Sequence, residues 1–251
     1  MRIAIIGTGN VATVLARLAT AKGHHLVHVV GRNPEHAIAL ASEFNCSWSG
    51  FSEINSIIAD LVIIAISDSA LYDCASSLHT NPIPIVHTAG SVSIDVLKNV
   101  SSKVGVFYPL QSLRREMIQI PEIPFLVDAN TPEMVSMLQN FASTLSPFVE
   151  HAGDEQRLRL HAAAVIVSNF TNHLYSLGEE FCVKENVNFN LLKPLILETA
   201  QRIMATSPTL VQTGPAVRKD IQTLDKHLRL LNNHPKLRTT YLRLTDSIMN
   251  P

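Results

Sequence analysis

The first part of the chain alternates short apolar runs with amphipathic segments. Residues 3–6 and 61–66 are apolar and mostly β-branched, which is typical of strands buried on both faces of a parallel sheet. The predicted strands are residues 1–6, 24–30, 60–66, 84–88, 104–108, 125–128 and 148–150, and residues 45–52 are predicted to form a short strand followed by a loop. The predicted helices, which have apolar positions three and four apart, are residues 11–21, 35–44, 70–78 and 132–145. This order predicts an α/β fold with a Rossmann-type, doubly wound and mostly parallel sheet.

The pattern changes after Gly153, because the remaining segments have a helical period and no convincing strand follows. We therefore expect an all-α C-terminal domain, with domains at residues 1–152 and 153–251. Its predicted helices are residues 154–183, 189–206, 215–231 and 236–249. No glycine-rich linker separates the two parts, so we expect them to pack together and to leave a cleft between them.

Composition and charge exclude several classes of partner. The chain has 251 residues, of which 46% are hydrophobic and 16% charged, enough apolar material for two domain cores. The net charge of −1 gives no general attraction to nucleic acid or to an anionic membrane. We expect a small-molecule substrate and other protein subunits as partners, with no nucleic acid and no membrane.

The three cysteines, Cys46, Cys74 and Cys182, are widely spaced. They predict neither a disulfide framework nor a metal site, and they favour a reducing, cytoplasmic location. No apolar run approaches the roughly 18 residues that a membrane span needs. The first apolar run leads directly into a glycine turn, unlike a signal peptide with its cleavage site.

A glycine-rich turn joins the first predicted strand to the first helix. In the pattern G-x-G-x-x-A, Gly7 allows the tight turn, Gly9 lets a pyrophosphate approach the backbone, and Ala12 lets helix and strand pack closely. The helix N-terminus adds free N–H groups and a positive dipole end. The predicted dinucleotide-binding residues are Gly7, Thr8, Gly9, Asn10, Val11 and Ala12. The alternative is a tight turn that binds nothing.

The residues at the end of the second predicted strand indicate whether the cofactor is NAD or NADP. Enzymes that use NAD usually place an acidic residue there for the ribose 2′-OH, whereas a basic residue accommodates the 2′-phosphate of NADP. This chain has Arg32 and Asn33 at that point and no acidic residue at the tip of the strand. We therefore predict NADP, or NADPH, bound partly by Arg32. The alternative is a solvated arginine in a turn, which would leave the choice of cofactor open.

Polar residues follow two later strands. Because ligands of doubly wound sheets bind beyond the carboxyl ends of the strands, these residues are predicted to line the cofactor site. They are Ser67, Asp68, Thr88, Gly90 and Ser91. Asp68 is also a candidate N-cap of the following helix. His87 can reach toward the nicotinamide or the substrate, or it can be a buried structural histidine.

A polar stripe marks the predicted helix at residues 154–183. At 100° per residue, His161, Ser168, Asn172 and Glu179 project within about 20° of one direction, and Asn169 and Ser176 are nearby. The rest of this middle section is apolar, so we expect a helix buried nearly all round. The stripe either forms hydrogen bonds to another helix or lines a wet substrate cleft.

Two cations occupy the predicted first turn of the helix at residues 215–231. Pro215 suits a first helical position, which places Arg218 and Lys219 where acidic residues are normally preferred. An anionic substrate group would relieve this conflict. Asp220 is the alternative partner for the two cations.

The layout resembles NADP-binding Rossmann proteins joined to a helical domain, the superfamily of 6-phosphogluconate dehydrogenase, pyrroline-5-carboxylate reductase, ketopantoate reductase and deazaflavin-dependent NADP oxidoreductase. More narrowly, it resembles a bacterial branch of NADP oxidoreductases whose C-terminal half is a domain of unknown function. The stretches that carry the resemblance are residues 7–12, 31–34, 108–112, 161–170 and 213–220. For the narrower branch the resemblance implies no particular substrate.

The resemblance also bears on the catalytic residues. Superfamily dehydrogenases often have a lysine four positions before an asparagine on the first helix of the second domain. Asn169 matches that asparagine, but Val165 stands where the lysine would be. This departure argues against a simple 3-hydroxyacid dehydrogenase. His161, one turn earlier, is the candidate general acid or base, since histidine titrates near neutral pH.

The sequence therefore predicts a cytoplasmic NADP(H)-dependent oxidoreductase that transfers hydride to or from a small carbonyl, imine or hydroxy compound. The predicted catalytic residues are His161 and Asn169, and the predicted substrate contacts are Ser168, Asn172, Arg218 and Lys219. The superfamily resemblance implies a homodimer formed through the helical domain. The alternative function is a non-catalytic NADP-binding sensor or partner protein.

Overall fold

The computed structural model describes residues 1–78 and 82–250. One sheet contains the eight strands of this part of the chain, in the order β3-β2-β1-β4-β5-β6-β7-β8. The strands are β1 (Arg2–Ile6), β2 (His25–Val30), β3 (Ser47–Ser49), β4 (Leu61–Ile64), β5 (Ile85–His87), β6 (Val104–Pro109), β7 (Phe125–Ala129) and β8 (Val149–His151). Neighbouring strands pair in parallel except β6 and β7, which are antiparallel. The mostly parallel α/β sheet predicted from the sequence is confirmed.

In the described part of the chain, four α-helices connect the strands: α1 (Asn10–Ala21), α2 (Pro34–Glu43), α3 (Asp68–Ser77) and α4 (Pro132–Leu145). Five described α-helices follow the last strand: α5 (Asp154–Ala164), α6 (Thr171–Lys184), α7 (Lys193–Ala205), α8 (Ile221–Leu230) and α9 (Pro235–Met249). The helical C-terminal region is therefore also confirmed. The contacts divide the chain into a first unit, Met1–Ser168, and a second unit that begins at Asn169.

The core of the first unit lies on both faces of the central strands. Along β1, Ile3 and Ile5 pack on the face covered by α1 and α4, whereas Ala4 and Ile6 pack on the face covered by α3. Ile5 is in register with Ile63 of β4, and both are fully buried. Each such isoleucine contributes about 1.5–3 kcal/mol by burial. The apolar runs predicted these strands because both faces are covered.

The predicted helix at residues 154–183 is interrupted. A π-helix, Val165–Phe170, separates α5 from α6. Its wider i→i+5 hydrogen bonding turns the chain less per residue than an α-helix does. The polar stripe predicted at 100° per residue is therefore not straight beyond Ala164.

The expectation that this helix is buried nearly all round is wrong for the single chain. The exposed fractions of Ile166, Val167 and Phe170 are 60%, 72% and 58%. No residue of α7 or α9 is buried among the described residues, although α7 carries several leucines and isoleucines. The second unit therefore exposes apolar surface that a monomeric globular protein usually covers.

The β1–α1 turn depends on two glycines with different constraints. Gly7 has a φ of 126°, and its N–H donates to the Val30 carbonyl at 2.8 Å. A Cβ atom on Gly7 would lie 2.1 Å from the carbonyl oxygen of Ala65. Gly9, the N-cap of α1, has an ordinary φ of −85°, and a Cβ there would meet no described atom within 4 Å. The fold therefore requires glycine at position 7 but not at position 9.

We expect Gly7→Ala to lower the free energy of unfolding by more than about 2 kcal/mol. The alanine Cβ would clash with the Ala65 carbonyl oxygen, and the positive φ at this position is unfavourable for alanine. Gly9→Ala is the matched control and should cost less than about 1 kcal/mol, the loss of a favourable N-cap residue. Urea denaturation of both variants and the parent measures the difference. Equal stability of the two variants would contradict this assignment of the turn.

Candidate active site

The N-terminus of α1 faces open space at the carboxyl end of β1. No side chain of the described residues caps this helix, and its first turn contains no acidic residue. Ala12 is fully buried, and Val11 packs against the core. The Oδ1 atom of Asn10 accepts the backbone N–H of Arg115 at 3.2 Å, which attaches the loop after β6 to this turn. The open space above Gly9 and the uncapped helix fit a pyrophosphate.

A cavity of about 520 Å³ adjoins the glycine turn. It lies next to the point where the sheet order reverses between β1 and β4, the usual ligand site of a doubly wound sheet. Its wall includes five of the predicted cofactor residues, Gly7, Thr8, Arg32, Asn33 and Ser67. The Oδ1 atom of Asn33 accepts the N–H groups of Glu35 and His36 as the N-cap of α2. The side chain of Asn33 is therefore engaged in starting the helix.

His36 is a further basic residue of this cavity that sequence reasoning missed. It lies in the first turn of α2, four positions after Arg32, and both side chains are exposed. Sequence spacing gave no signal for His36, because Arg32 lies before the N-cap of α2 and the i,i+4 rule applies only within a helix.

The carboxyl ends of β4 and β5 are joined by a hydrogen bond. The hydroxyl of Ser91 donates to Oδ2 of Asp68 at 2.5 Å. The N-cap of α3 is Ser67, so the alternative role of Asp68 as N-cap is wrong. Thr88 is buried, and its hydroxyl donates to the Ile64 carbonyl at 3.3 Å. Of the predicted residues at this edge, Ser67, Asp68 and Ser91 are exposed to the site, whereas the hydroxyl of Thr88 is used inside the sheet.

Tyr108 and His161 form a hydrogen-bonded pair. The Tyr108 hydroxyl lies 2.8 Å from Nδ1 of His161, and the two rings meet edge to face. Gly90 packs directly on this pair, since a Cβ atom there would lie 2.7 Å from Nδ1 of His161 and 2.9 Å from Cζ of Tyr108. The structure therefore brings together three residues from β6, α5 and the loop after β5. Tyr108 was not predicted as a site residue, because contact between positions 108 and 161 has no local signal.

The electrostatic surroundings keep Tyr108 protonated. Burial raises the pKa of the phenol, the negative charge of Asp68 raises it further, and the positive charge of Arg157 opposes both. The pKa is higher than that of an ordinary tyrosine. A half-buried neutral phenol next to a histidine can act as a general acid.

Arg157 holds α5 in place and was also missed by sequence reasoning. Its side chain is 1% exposed, and one Nη atom donates to the Val92 carbonyl at 2.6 Å and to Oδ1 of Asp154 at 2.5 Å. The same Asp154 oxygen accepts the N–H of Ile94 at 3.2 Å. Arg157 lies one helical turn before His161, so these bonds position His161 against Gly90. In the sequence it reads as an ordinary solvated arginine.

His87 is a buried structural residue. It is fully buried, and its Nδ1 accepts the N–H of Ala89 at 3.2 Å. Burial lowers the pKa of His87 to about 4, and the charge of Arg157 contributes to the decrease. The histidine is therefore neutral near pH 7, which supports the structural alternative over contact with a substrate.

The predicted substrate residues are distributed between the two units. His161 and Ser168 are half-buried in the first unit, whereas Asn169 and Asn172 are exposed in the second. Arg218 and Lys219 are exposed and precede α8, which begins at Ile221 with Asp220 as its N-cap. The argument from a first helical turn is therefore wrong for Arg218 and Lys219: residues 215–219 form turns, and Lys219 has a φ of 54°.

Two further features bear on the class of protein. The described residues contain no group of three histidine, cysteine, aspartate or glutamate side chains placed to hold a metal ion. None of the helices described is both long enough and apolar enough to cross a membrane.

Comparisons with known proteins place the chain in a family. Residues 2–97 match the family model described as NADP oxidoreductase, coenzyme F420-dependent, and residues 123–248, half of the chain, match the domain of unknown function DUF2520. The crystal structure of the "putative NADP oxidoreductase BF3122" from Bacteroides fragilis is 36% identical, with a TM-score of 0.88 over 100% of this chain and 98% of that one.

A more distant solved structure has a similar fold. A 1-pyrroline-5-carboxylate reductase from Streptococcus pyogenes is 15% identical, with a TM-score of 0.65 over 100% of this chain and 99% of that one. A glutamyl-tRNA reductase from Caldivirga maquilingensis is 28% identical over 117 residues, which are 41% of this chain and 29% of that protein. The chain thus matches less than a third of the length of that relative. The chain belongs to an NADP oxidoreductase family whose C-terminal half is the DUF2520 domain of unknown function.

Proposed function

We propose that the protein is an NADP(H)-dependent oxidoreductase that transfers hydride to or from a small carbonyl, imine or hydroxy compound. The observation that carries this proposal is the Tyr108–His161 pair, which lies at the same carboxyl edge of the sheet as the open glycine turn. When bound, the cofactor supplies or accepts a hydride at its nicotinamide ring. Reduction of a carbonyl or imine also needs a proton, which an acid–base group containing His161 provides.

The residues around the cavity fit the cofactor. The α1 N-terminus and the open space above Gly9 hold the pyrophosphate. Arg32 and His36, at the wall of the cavity, bind the 2′-phosphate that distinguishes NADP from NAD. Asp68 and Ser91 line the path toward the Tyr108–His161 pair.

The imine is the substrate class that we favour. The distant structural relative named above is a 1-pyrroline-5-carboxylate reductase, and its name describes reduction at a carbon–nitrogen double bond. Its fold resembles that of this chain at 15% identity, which supports the choice of compounds to test first.

We also propose a homodimer formed through the helical unit. The exposed apolar side chains of the second unit, together with those on the π-helix, support this arrangement. They include Ile166, Val167, Phe170, Leu195, Leu197 and Met204. A second copy of the chain would cover such surface, as the interfaces of homodimers are richer in apolar area than the rest of a protein surface.

The cofactor preference is tested by Arg32→Ala. We expect the affinity for NADPH to fall about 10- to 100-fold, the loss of one charge-assisted contact, and the affinity for NADH to change little. Calorimetric titration of both nucleotides measures the effect, with Arg229→Ala, on exposed α8, as a matched control. Equal affinity of the parent protein for NADPH and NADH would contradict the role of Arg32.

The reaction is tested by following NADPH oxidation at 340 nm with a panel of cyclic imines, keto acids and aldehydes. We expect His161→Ala to lower kcat by a factor of about 10²–10⁴, the usual contribution of general acid catalysis. His25→Ala, an exposed histidine at the opposite edge of the sheet, is the control and should leave kcat unchanged.

Two results would count against this function. Full activity of His161→Ala would show that His161 does not belong to the acid–base group. Tight NADPH binding without oxidation by any compound would instead favour a non-catalytic NADP sensor, the alternative suggested by Val165 in place of the superfamily lysine.

The homodimer is tested by sedimentation equilibrium at micromolar concentration. We expect a species of twice the chain mass of 27.6 kDa. Phe170→Glu should weaken the association of the dimer, because a charge would be buried at the interface. Ile118→Glu, at a residue that is 99% exposed in the first unit, is the matched control. A monomeric parent protein would contradict the proposal.

A further inference from the structure

The Tyr108–His161 pair offers two candidate proton donors, and its geometry distinguishes between them. Tyr108 is the penultimate residue of β6, whose carboxyl end lies beside that of β5 because the two strands are parallel. Its hydroxyl therefore lies at the edge of the sheet where ligands of this fold bind. Nδ1 of His161 points at that hydroxyl and not away from it.

We propose that Tyr108 transfers the proton to the substrate and that His161 acts through Tyr108 as a positioning and proton-supplying residue. The proposal rests on the oxidoreductase function argued above, and it identifies which atom of the site meets the substrate. A phenol can accept a hydrogen bond from Nδ1–H of His161 while its own proton points toward a substrate.

Close packing keeps the pair together. The backbone of Gly90 touches both rings, so a side chain at position 90 would separate them. Arg157, one turn before His161, fixes α5 to the loop after β5 through the Val92 carbonyl. The hydrogen bond is thus built into the contact between three elements, as expected of a preorganised site.

The charged groups around the phenol favour its role as an acid. Asp68 faces it from α3, and Arg157 and His161 face it from α5. Burial is the largest cause that raises the pKa of Tyr108, and Asp68 adds to it. The phenol therefore carries its proton across the neutral range and gives it up when a basic oxygen or nitrogen develops on the substrate.

During reduction, one hydride and one proton reach the substrate. The substrate carbon accepts hydride, the electrons of its double bond move to oxygen or nitrogen, and that atom takes the Tyr108 proton. The phenolate then takes the Nδ1 proton of His161 while Nε2 of His161 takes a proton from water, so one solvent proton is consumed for each substrate reduced.

The test compares Tyr108→Phe with the control variant Tyr72→Phe. The control also removes a phenol hydroxyl, but from an exposed tyrosine on α3. We expect Tyr108→Phe to lower kcat by a factor of about 10²–10⁴ and to leave the Kd for NADPH unchanged. Tyr72→Phe should retain the parent kcat. Thermal unfolding of both variants checks that the fold is preserved.

A second readout does not depend on turnover. Ultraviolet titration of the parent against Tyr108→Phe isolates the ionisation of this phenol from that of the other three tyrosines. Asp68→Asn removes a negative charge that disfavours the phenolate, so the phenol should ionise at lower pH. The alkaline limb of kcat/KM, which reports ionisations of the enzyme before substrate binds, should move to lower pH by the same amount.

The outcomes separate the two proposals. Parent activity in Tyr108→Phe, or an alkaline limb that does not follow the phenol in Asp68→Asn, would overturn the role of Tyr108 while leaving the oxidoreductase function standing. A parent protein that binds NADPH but reduces no compound would overturn the function, and the role of Tyr108 with it. Loss of kcat in Tyr108→Phe together with a shared pH shift would support both.

Discussion

The close approach of Gly7 to the Ala65 carbonyl is the contact on which the nucleotide end of the site depends. It fixes the carboxyl ends of β1 and β4 side by side, at the point where the sheet order reverses. The N-terminus of α1 follows within three residues and is therefore aimed across the same edge. A side chain at position 7 would force these strands apart, whereas position 9 is open. The first glycine thus serves the fold, and the second leaves room for the cofactor.

Arg157 fixes the other end of the site. Burying a guanidinium costs several kcal/mol unless its hydrogen bonds are satisfied, and its bonds to Asp154 and to the Val92 carbonyl offset part of that cost. Burial alone would raise the pKa of Asp154, but hydrogen bonds from Ser93 and Arg157 outweigh it and lower the pKa. Asp154 therefore stays ionised beside the guanidinium. The resulting connection holds α5, and with it His161, against the loop after β5.

The sequence predicted the parts of the structure that depend on local pattern. Strands such as β1 and β4 were predictable because residues buried on both faces must be apolar throughout, and the β1–α1 turn because its glycines occupy fixed positions. The start of α8 was misplaced, because Pro215 suits a first helical position but also suits a turn. The π-helix was missed because its six residues, VIVSNF, contain no glycine or proline that would signal an interrupted helix.

The Tyr108–His161 pair depends on contacts between residues that are distant in the sequence. Tyr108 and His161 are separated by 53 residues, and their meeting depends on Gly90 and on the buried Arg157. His161 was identified from its chemistry, but Tyr108 was not, because a tyrosine at a strand end reads as an ordinary amphipathic residue. The same limitation applied to His36, because only the folded structure shows that it lines the same cavity as Arg32.

The most direct test of the central claim is a crystal structure with NADP⁺ and a substrate analogue. The expected result is the pyrophosphate at the N-terminus of α1, the 2′-phosphate on Arg32, and the Tyr108 hydroxyl within hydrogen-bond reach, about 2.6–3.2 Å, of the reacting oxygen or nitrogen. A nicotinamide ring that points away from Tyr108, with no analogue atom within reach of it directly or through one water, would contradict the claim.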